Sequence, residues 1–461
     1  MRVILDDGTV EEYEDQPFAE GGQGKLYLSR DKQSVIKLYH QSISSRIPAL
    51  RKIIKDFNVT GKDASTKSLF AWPNAIVSRP SLGVRMDNIN ARVEHKALSW
   101  WTKPKASTRL DAAIRGNWFD RTRVASQMAN IAWKLHGSGL AHSDFSSDNF
   151  LANVARHSVV LIDLDALVVP DVLPPEMIGT TNYMAPEIVI AYTKGQTDIR
   201  PSIYTDQHSL AVLIYELLLQ RHPLIGPKRN HADAERDEQL ALGERALYTE
   251  DPQDRSNRPP DPFRGAWLLG EEVEGLLRRA FTNGLKNPTQ RPLAAEWGGA
   301  LNRMADQIIP CGNPECPGQG FVLLRDHPAV CPWCGRKVAY PKQVPILRLY
   351  APSGRVGHFQ SDKGKIVGWQ NRTLHRWHSQ LKLNEQSATK EERAPIAEIT
   401  FDAKRGGWLL GNLNLPDLRV AGEGRVQSVR IGADAPLVAG QKWLLGTGPD
   451  ARMMVVTMQD L

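Results

Sequence analysis

The four cysteines of this 461-residue chain all fall between Cys311 and Cys334, and this clustering constrains how the whole chain can be organised. A disulfide framework spreads its cysteines through the fold it staples, whereas four thiols in one short stretch point to a single local site. In "CGNPECPGQGFVLLRDHPAVCPWCG" the pairs Cys311/Cys316 and Cys331/Cys334 stand on two turns separated by a strand-length spacer. Two such knuckles bring four thiolates to one tetrahedral Zn2+, whose binding holds together a segment too short to bury its own core. A redox dithiol is the alternative, and the absence of a strand–helix–strand setting weighs against it. Four protein ligands leave no open coordination position, so the expected zinc is structural.

The segment divides the chain into residues 1–305 before it and 343–461 after it, with the site in 306–342. At 41 % hydrophobic residues, the material suffices for two or three packed domains. No apolar run approaches the roughly 20 residues of a membrane-spanning helix. "SLAVLIYELLL" (Ser209 to Leu219), interrupted by Glu216, is expected to be a buried helix. The first residues turn acidic before an apolar signal core forms, so a cytoplasmic chain with reduced thiols is expected. The net charge is +7, and residues 306–461 hold 20 Lys/Arg against 14 Asp/Glu. That excess is scattered as a solvated surface would scatter it, and with no stacking motif or dense basic stripe a nucleic-acid partner is not expected.

Residues 1–40 alternate apolar and polar around Gly21, Gly22 and Gly24, which predicts strands joined by tight turns. Between Ile43 and Val59, Ile47, Leu50, Ile53, Ile54 and Phe57 recur at helical spacing, with Pro48 near the first turn. Arg121–Gly137, Thr205–Gln220 and Glu271–Gly284 are expected to be helices in a mostly α region. Beyond Tyr340, runs such as "APIAEITF", "GWLLGNL", "RVQSVRIG", "QKWLLGTG" and "MMVVTM" predict a small all-β domain.

Two clusters of residues carry chemistry. In "FAEGGQGKLYLSRDKQSVIKLY" a Gly-rich turn lies between two strands, and Lys37 follows Val35 and Ile36 on the second. Glycines there let backbone N–H groups approach phosphates closely, and a strand-borne Lys adds a fixed positive charge. Farther on, "HSDFSSDN" sets His142, Asp144 and Asn149 close together, and "HSVVLIDLDAL" ends an apolar strand on Asp163.

In this order and spacing, these residues resemble the eukaryotic-like Ser/Thr protein kinases. The likeness covers about residues 10–300 and implies an α+β, two-lobed kinase fold, with the N-lobe at about 1–86 and the C-lobe at about 87–305. Gly21 and Gly24 match the second and third loop glycines, Ala19 stands at the first, and Gly22 lies between them. Lys37 is implied to orient the nucleotide phosphates, and Met86 and Asn88, where the lobes join, complete the cofactor-binding set. The resemblance makes Asp144 the group that orients the substrate hydroxyl, and Asn149 and Asp163 the ligands of Mg2+ (or Mn2+) beside ATP. "GTTNYMAPE" places Thr180 against the catalytic Asp, Asp206 is implied to anchor the catalytic-loop backbone, and Arg291 of "NPTQRP" to pair with Glu187.

Several positions depart from the family pattern. Ser143 stands where an Arg precedes the catalytic Asp, and Ser146 replaces the Lys two residues after it. "DLD" replaces "DFG", with Asp165 expected either as a surface carboxylate or as an additional metal-shell group. No Glu occurs between Lys37 and Glu94, although the helix after the lysine should carry one, and Asp56 is expected to be a solvated charge.

The cysteine segment resembles zinc ribbons, and the C-terminal region resembles forkhead-associated (FHA) domains, sandwiches that bind phosphothreonine. Arg372, His375 and His378 are candidate polar contacts there, with packing as the alternative. The joint arrangement, with the "FAWPNAIV" run, resembles bacterial kinases of the tellurite-resistance TerY, phosphatase and kinase triad. That likeness implies a protein substrate, a TerY-like von Willebrand A protein and a PPM-type phosphatase as partners. Two functions are expected to compete: an ATP-dependent Ser/Thr kinase, and a nucleotide-binding pseudokinase scaffold.

Overall fold

Alternating residues in the first ninety positions build a seven-stranded antiparallel sheet in the computed structural model, which describes all residues except 42–43, 62–65, 92, 104, 170–178, 197–198, 326, 339, 356, 387, 405 and 423. Its strands are β1 (Arg2–Leu5), β2 (Val10–Glu12), β3 (Ala19–Glu20), β4 (Gly24–Leu28), β5 (Ser34–Tyr39), β6 (Pro73–Arg79) and β7 (Gly83–Asp87), in the order β2-β1-β6-β7-β5-β4-β3. Residues two apart share a face. Val3, Leu5, Ile36, Leu38 and Val77 therefore bury one side, while Tyr39, Ile76, Val84 and Met86 pack with Leu50 on the other. Leu50 belongs to α1 (Ile47–Lys55), which opens with Pro48 in its first turn. Ile43, where the helical pattern begins, lies outside the described residues. Asp56 caps the C-terminus of α1 and is exposed.

The helical region begins with α2 (Trp118–Gly137). Asn117 and Asp120 form a capping box: each side chain accepts the other's backbone N–H, at 2.8 and 3.1 Å, which satisfies donors that a helix start leaves orphaned. After α3 (Pro186–Thr193), α4 (Ile203–Leu219) is started by the same device from Ser202 and Thr205. Every residue from Leu210 to Tyr215 is fully buried, as expected for "SLAVLIYELLL". Helices α5 (Ala234–Leu242) and α6 (Glu271–Phe281) follow.

A small sheet positions the chemistry. Strand β8 (Lys96–Ala97) pairs with β9 (Phe150–Asn153), which pairs with β10 (Ser158–Leu161) in the register Phe150 to Leu161. This hairpin sets the residue before β9, Asn149, beside the residues after β10, and the Ile162 N–H donates to the Asn149 carbonyl at 2.9 Å. These elements lie in one compact unit, Met1–Leu301.

The second unit is Asn302–Leu461. Strands β11 (Ile308–Pro310) and β12 (Gly320–Val322) pair beside the cysteines. Next come β13 (Gln343–Pro352), β14 (Phe359–Val367), β15 (Arg372–His375), β16 (Pro395–Asp402), β17 (Gly407–Asn412), β18 (Leu418–Gly422), β19 (Arg425–Ser428), β20 (Asp434–Pro436), β21 (Lys442–Leu445) and β22 (Met453–Asp460). They form two antiparallel sheets, β14-β13-β22-β21-β18-β19 and β15-β16-β17-β20. Leu347, Trp443 and Val456 of the first share one core with Ile399, Trp408 and Leu410 of the second, and Cys311, Cys316 and Cys331 belong to that core. Among the described residues, no helix is long and apolar enough to cross a membrane.

Candidate active site and cysteine cluster

Strand β5 carries Lys37 on the face opposite Ile36 and Leu38, so the lysine points away from their apolar cluster. Its ammonium is buried among three partners: Asp165 Oδ1 at 3.0 Å, Gln23 Oε1 at 3.1 Å, and Asp163 Oδ1. Gln23 sits in the Gly-rich turn. Of that turn's glycines, Gly24 is required by the protein itself, because a Cβ there would lie 2.3 Å from the Leu38 carbonyl oxygen. At Gly21 and Gly22 a Cβ would meet nothing within 4 Å. Packing therefore does not demand glycine at either position, and the space over this turn is open. Ala19 is exposed on β3.

The loop from His142 to Asn149 is held by buried partners. Buried Asp206, on α4, accepts the His142 backbone N–H at 2.8 Å, and the same Oδ2 lies 3.0 Å from His136 Nε2. His142 Nε2 lies 3.0 Å from the Ile162 carbonyl, which ties the loop to the end of β10. Asp144 then takes a donor on each oxygen: the Thr180 N–H on Oδ1 at 2.8 Å and Asn149 Nδ2 on Oδ2 at 2.9 Å. Gly179 makes the Thr180 contact feasible, because its φ of +106° and its approach to the Ser143 carbonyl leave no room for a Cβ. Asn149 Nδ2 also donates to the Asp144 carbonyl, so the Asn149 oxygen is the atom left to face a cation.

Asp163 and Asp165 flank Leu164 but have different surroundings. The Asp163 side chain is 29 % exposed and that of Asp165 fully covered. Both Asp165 oxygens are engaged, Oδ1 by Lys37 and Oδ2 by the Tyr39 hydroxyl at 2.6 Å. Burial opposes the Asp165 charge, but Lys37 and the Tyr39 hydroxyl outweigh it and hold its carboxyl below the ordinary value. Burial and the neighbouring Asp165 charge push Asp163 up against the pull of Lys37. Lys37 resists its own burial because the two carboxylates hold its pKa above the usual one. Asp165 is thus not a surface carboxylate: its partners sit on β5, far away in sequence.

The other expected positions are distributed around this centre. Arg291, whose side chain is fully covered, forms a two-pronged pair with Glu187 at 2.8 and 2.7 Å and also donates to the carbonyls of Tyr204 and Gly284. Met86 is buried at the end of β7, and Asn88 follows that strand with its side-chain amide donating to the Lys32 carbonyl at 2.8 Å. Ser143 donates to the Ala166 carbonyl at 3.0 Å, and Ser146 is buried. Nothing in the sequence alone marks Gln23 and Tyr39 as site residues, although Tyr39 stands two positions after Lys37 and so on its face of β5.

Open space over Gly21 and Gly22, a cationic Lys37, and free or partly exposed oxygens on Asn149 and Asp163 form a cradle that fits a nucleotide triphosphate with a divalent ion. In the other unit, the four cysteine sulfurs lie within 4.8 Å of one another, with Cys311–Cys334 at 3.3 Å and Cys316–Cys331 at 3.6 Å. Zinc–sulfur bonds of about 2.3 Å in a tetrahedron place sulfurs about 3.8 Å apart, so the cluster fits Zn2+. The Arg336 backbone N–H holds the Cys334 thiol down at about 6, while burial pushes Cys331 up. Arg372 and His378 make bonds within their own unit, to the Ile308 carbonyl and to Asp306 and the His375 N–H.

Residues 109–296 match the family model of the protein kinase domain. Over 322 residues, 68 % of its length, it is 27 % identical to Protein kinase YegI of Escherichia coli O157:H7 and covers 47 % of that protein. It is 26 % identical over 326 residues, with the same shares, to Protein kinase YegI of Escherichia coli strain K12. Serine/threonine-protein kinase AtPK1/AtPK6 of Arabidopsis thaliana is 32 % identical over 213 residues, 45 % of this chain and 41 % of that protein. The chain spans about half the length of the relatives it matches.

Proposed function

We propose that this chain is an ATP-dependent serine/threonine protein kinase. The observation that carries the proposal is the convergence of Lys37, Asp144, Asn149 and Asp163, from separate segments, on one partly open cradle. Phosphoryl transfer demands positioning and charge stabilisation more than covalent chemistry by the protein. Asn149 and Asp163 would hold Mg2+ (or Mn2+), which would supply neutralising charge for the γ-phosphoryl group of bound ATP. Lys37 orients the phosphates. Asp144, fixed by the Thr180 N–H and the Asn149 amide, keeps a lone pair on each oxygen to orient and accept the substrate hydroxyl proton.

Neutral Ser143 and buried Ser146, at two positions where the family carries cations, favour the competing reading of a nucleotide-binding scaffold. Thermal unfolding with and without ATP and Mg2+, run beside a γ-phosphate transfer assay on the same preparation, separates the two. Transfer supports the kinase, stabilisation without transfer supports the scaffold, and the absence of both rejects the two together.

The proposal extends to the second unit. Cys311, Cys316, Cys331 and Cys334 hold one structural Zn2+ as a ribbon, and the two sheets around one core support an FHA-like sandwich. The positions of Arg372 and His378 give no support to phosphothreonine contacts through them. The proposed setting is bacterial phospho-signalling with a protein substrate, a TerY-like von Willebrand A protein and a PPM-type phosphatase as partners. Support for that setting is the domain order and the likeness to a bacterial kinase, and co-purification from a bacterial host tests it.

A further inference from the structure

A lysine that orients phosphates must itself be held, and the helix that follows Lys37 offers it no carboxylate. Helix α1 reads IPALRKIIK, with no carboxylate, and Asp56 at its end is exposed. We propose that Asp165 is the residue that positions Lys37, which puts the anchor of the lysine on the loop that also carries Asp163 and not on the helix that follows it. The inference rests on the kinase reading above and deepens it.

Three observations carry it. The Asp165 side chain is fully covered and spends both oxygens on β5, Oδ1 on Lys37 at 3.0 Å and Oδ2 on the Tyr39 hydroxyl at 2.6 Å. Lys37 and Tyr39 are two apart on one strand, so their side chains share a face and grip the carboxylate together. The backbone around Asp165 is fixed as well: it lies in the short turn Leu164–Ala166, whose Ala166 carbonyl accepts the Ser143 hydroxyl at 3.0 Å. Ser143, in place of an Arg, thus ties the catalytic loop to the lysine's anchor. Both oxygens of the covered carboxylate are turned to β5, as an anchor for Lys37 requires.

The test is a double-mutant cycle read as Mg·ATP affinity and as the split between kcat and the two KM values. Asp165→Asn keeps the shape and removes the charge. It is expected to weaken Mg·ATP binding about tenfold and lower kcat, leaving the KM for the protein substrate unchanged. Tyr39→Phe shifts the same quantities less. In the Lys37→Met background Asp165→Asn has a much smaller effect on Mg·ATP affinity, because the anchor acts through the lysine. Asp165→Gly, the residue the family carries at this position, runs the same cycle if the Asn variant folds poorly. Wild-type affinity in the Asp165 variants, or losses that multiply with Lys37→Met, overturns the proposal. A raised Mg2+ requirement that persists without Lys37 also overturns it and makes Asp165 a metal ligand. A wild-type chain that fails to bind Mg·ATP instead removes the kinase reading on which the proposal stands.

Discussion

Glu216 makes the stability of the helical unit depend on pH. It lies on α4, and its Oε2 accepts the Tyr183 hydroxyl at 2.7 Å, pinning the turn that follows Thr180. Burial pushes its carboxyl from 4.5 up to about 7, against the pull of Tyr183 and Lys103. Between those values the folded chain still holds a proton that the unfolded chain has released. Stability therefore falls as pH rises from about 4.5 to 7, and the full penalty is in place above that window. About 2.5 units at roughly 1.4 kcal/mol each give a ceiling near 3.5 kcal/mol, of which roughly 2–3 kcal/mol develops between pH 5 and 8. Glu216→Gln keeps an acceptor for Tyr183 and cannot ionise. Urea unfolding followed by far-UV ellipticity reports mainly on Met1–Leu301, where most of the helix lies. The variant should match the wild type within about 1 kcal/mol at pH 5 and exceed it by about 3 kcal/mol at pH 8. A difference between the two proteins that does not change with pH would refute the reasoning.

Arg291→Ala leaves Glu187 without its partner and should cost about 3–5 kcal/mol, lowering the melting temperature of the helical unit by about 10 °C. Arg291→Lys should recover only part of this, because it lacks the fork. Gly24→Ala, with its Cβ driven against the Leu38 carbonyl, should destabilise the seven-stranded sheet by about 1–3 kcal/mol in a denaturant titration. Gly22→Ala, facing open space, should leave stability unchanged and weaken ATP binding alone. Metal analysis should find one zinc per chain, and its removal by a chelator should lower the melting temperature of Asn302–Leu461, whose core includes three of the ligands.

Much of the site was legible because its residues sit at fixed short spacings. Asp144 and Asn149 flank a single turn, and Lys37 follows its glycines by one strand. The buried helix α4 announced itself by an apolar run that a solvated helix could not carry. What stayed hidden depends on contacts between distant segments. Asp165 looks like any polar residue in a loop, and its burial is decided by Lys37 and Tyr39, more than a hundred positions upstream. The hydrogen bond from Ser143 to Ala166 is also non-local, and the serine reads in sequence only as a lost charge. The spacing of the cysteines foretold a four-thiol cluster, while nothing local showed that Cys311, Cys316 and Cys331 would pack into the same core as Leu347 and Trp443.

The central claim is that Asp144 and Asp163 form a working phosphoryl-transfer centre. Incorporation of labelled γ-phosphate into the chain itself or a generic protein, compared among wild type, Asp144→Ala and Asp163→Ala, tests it most directly. Labelling by the wild type at serine or threonine, with loss of at least a hundredfold in each variant, is the predicted result. Equal labelling by all three, or none by a wild type that binds Mg·ATP, would contradict it.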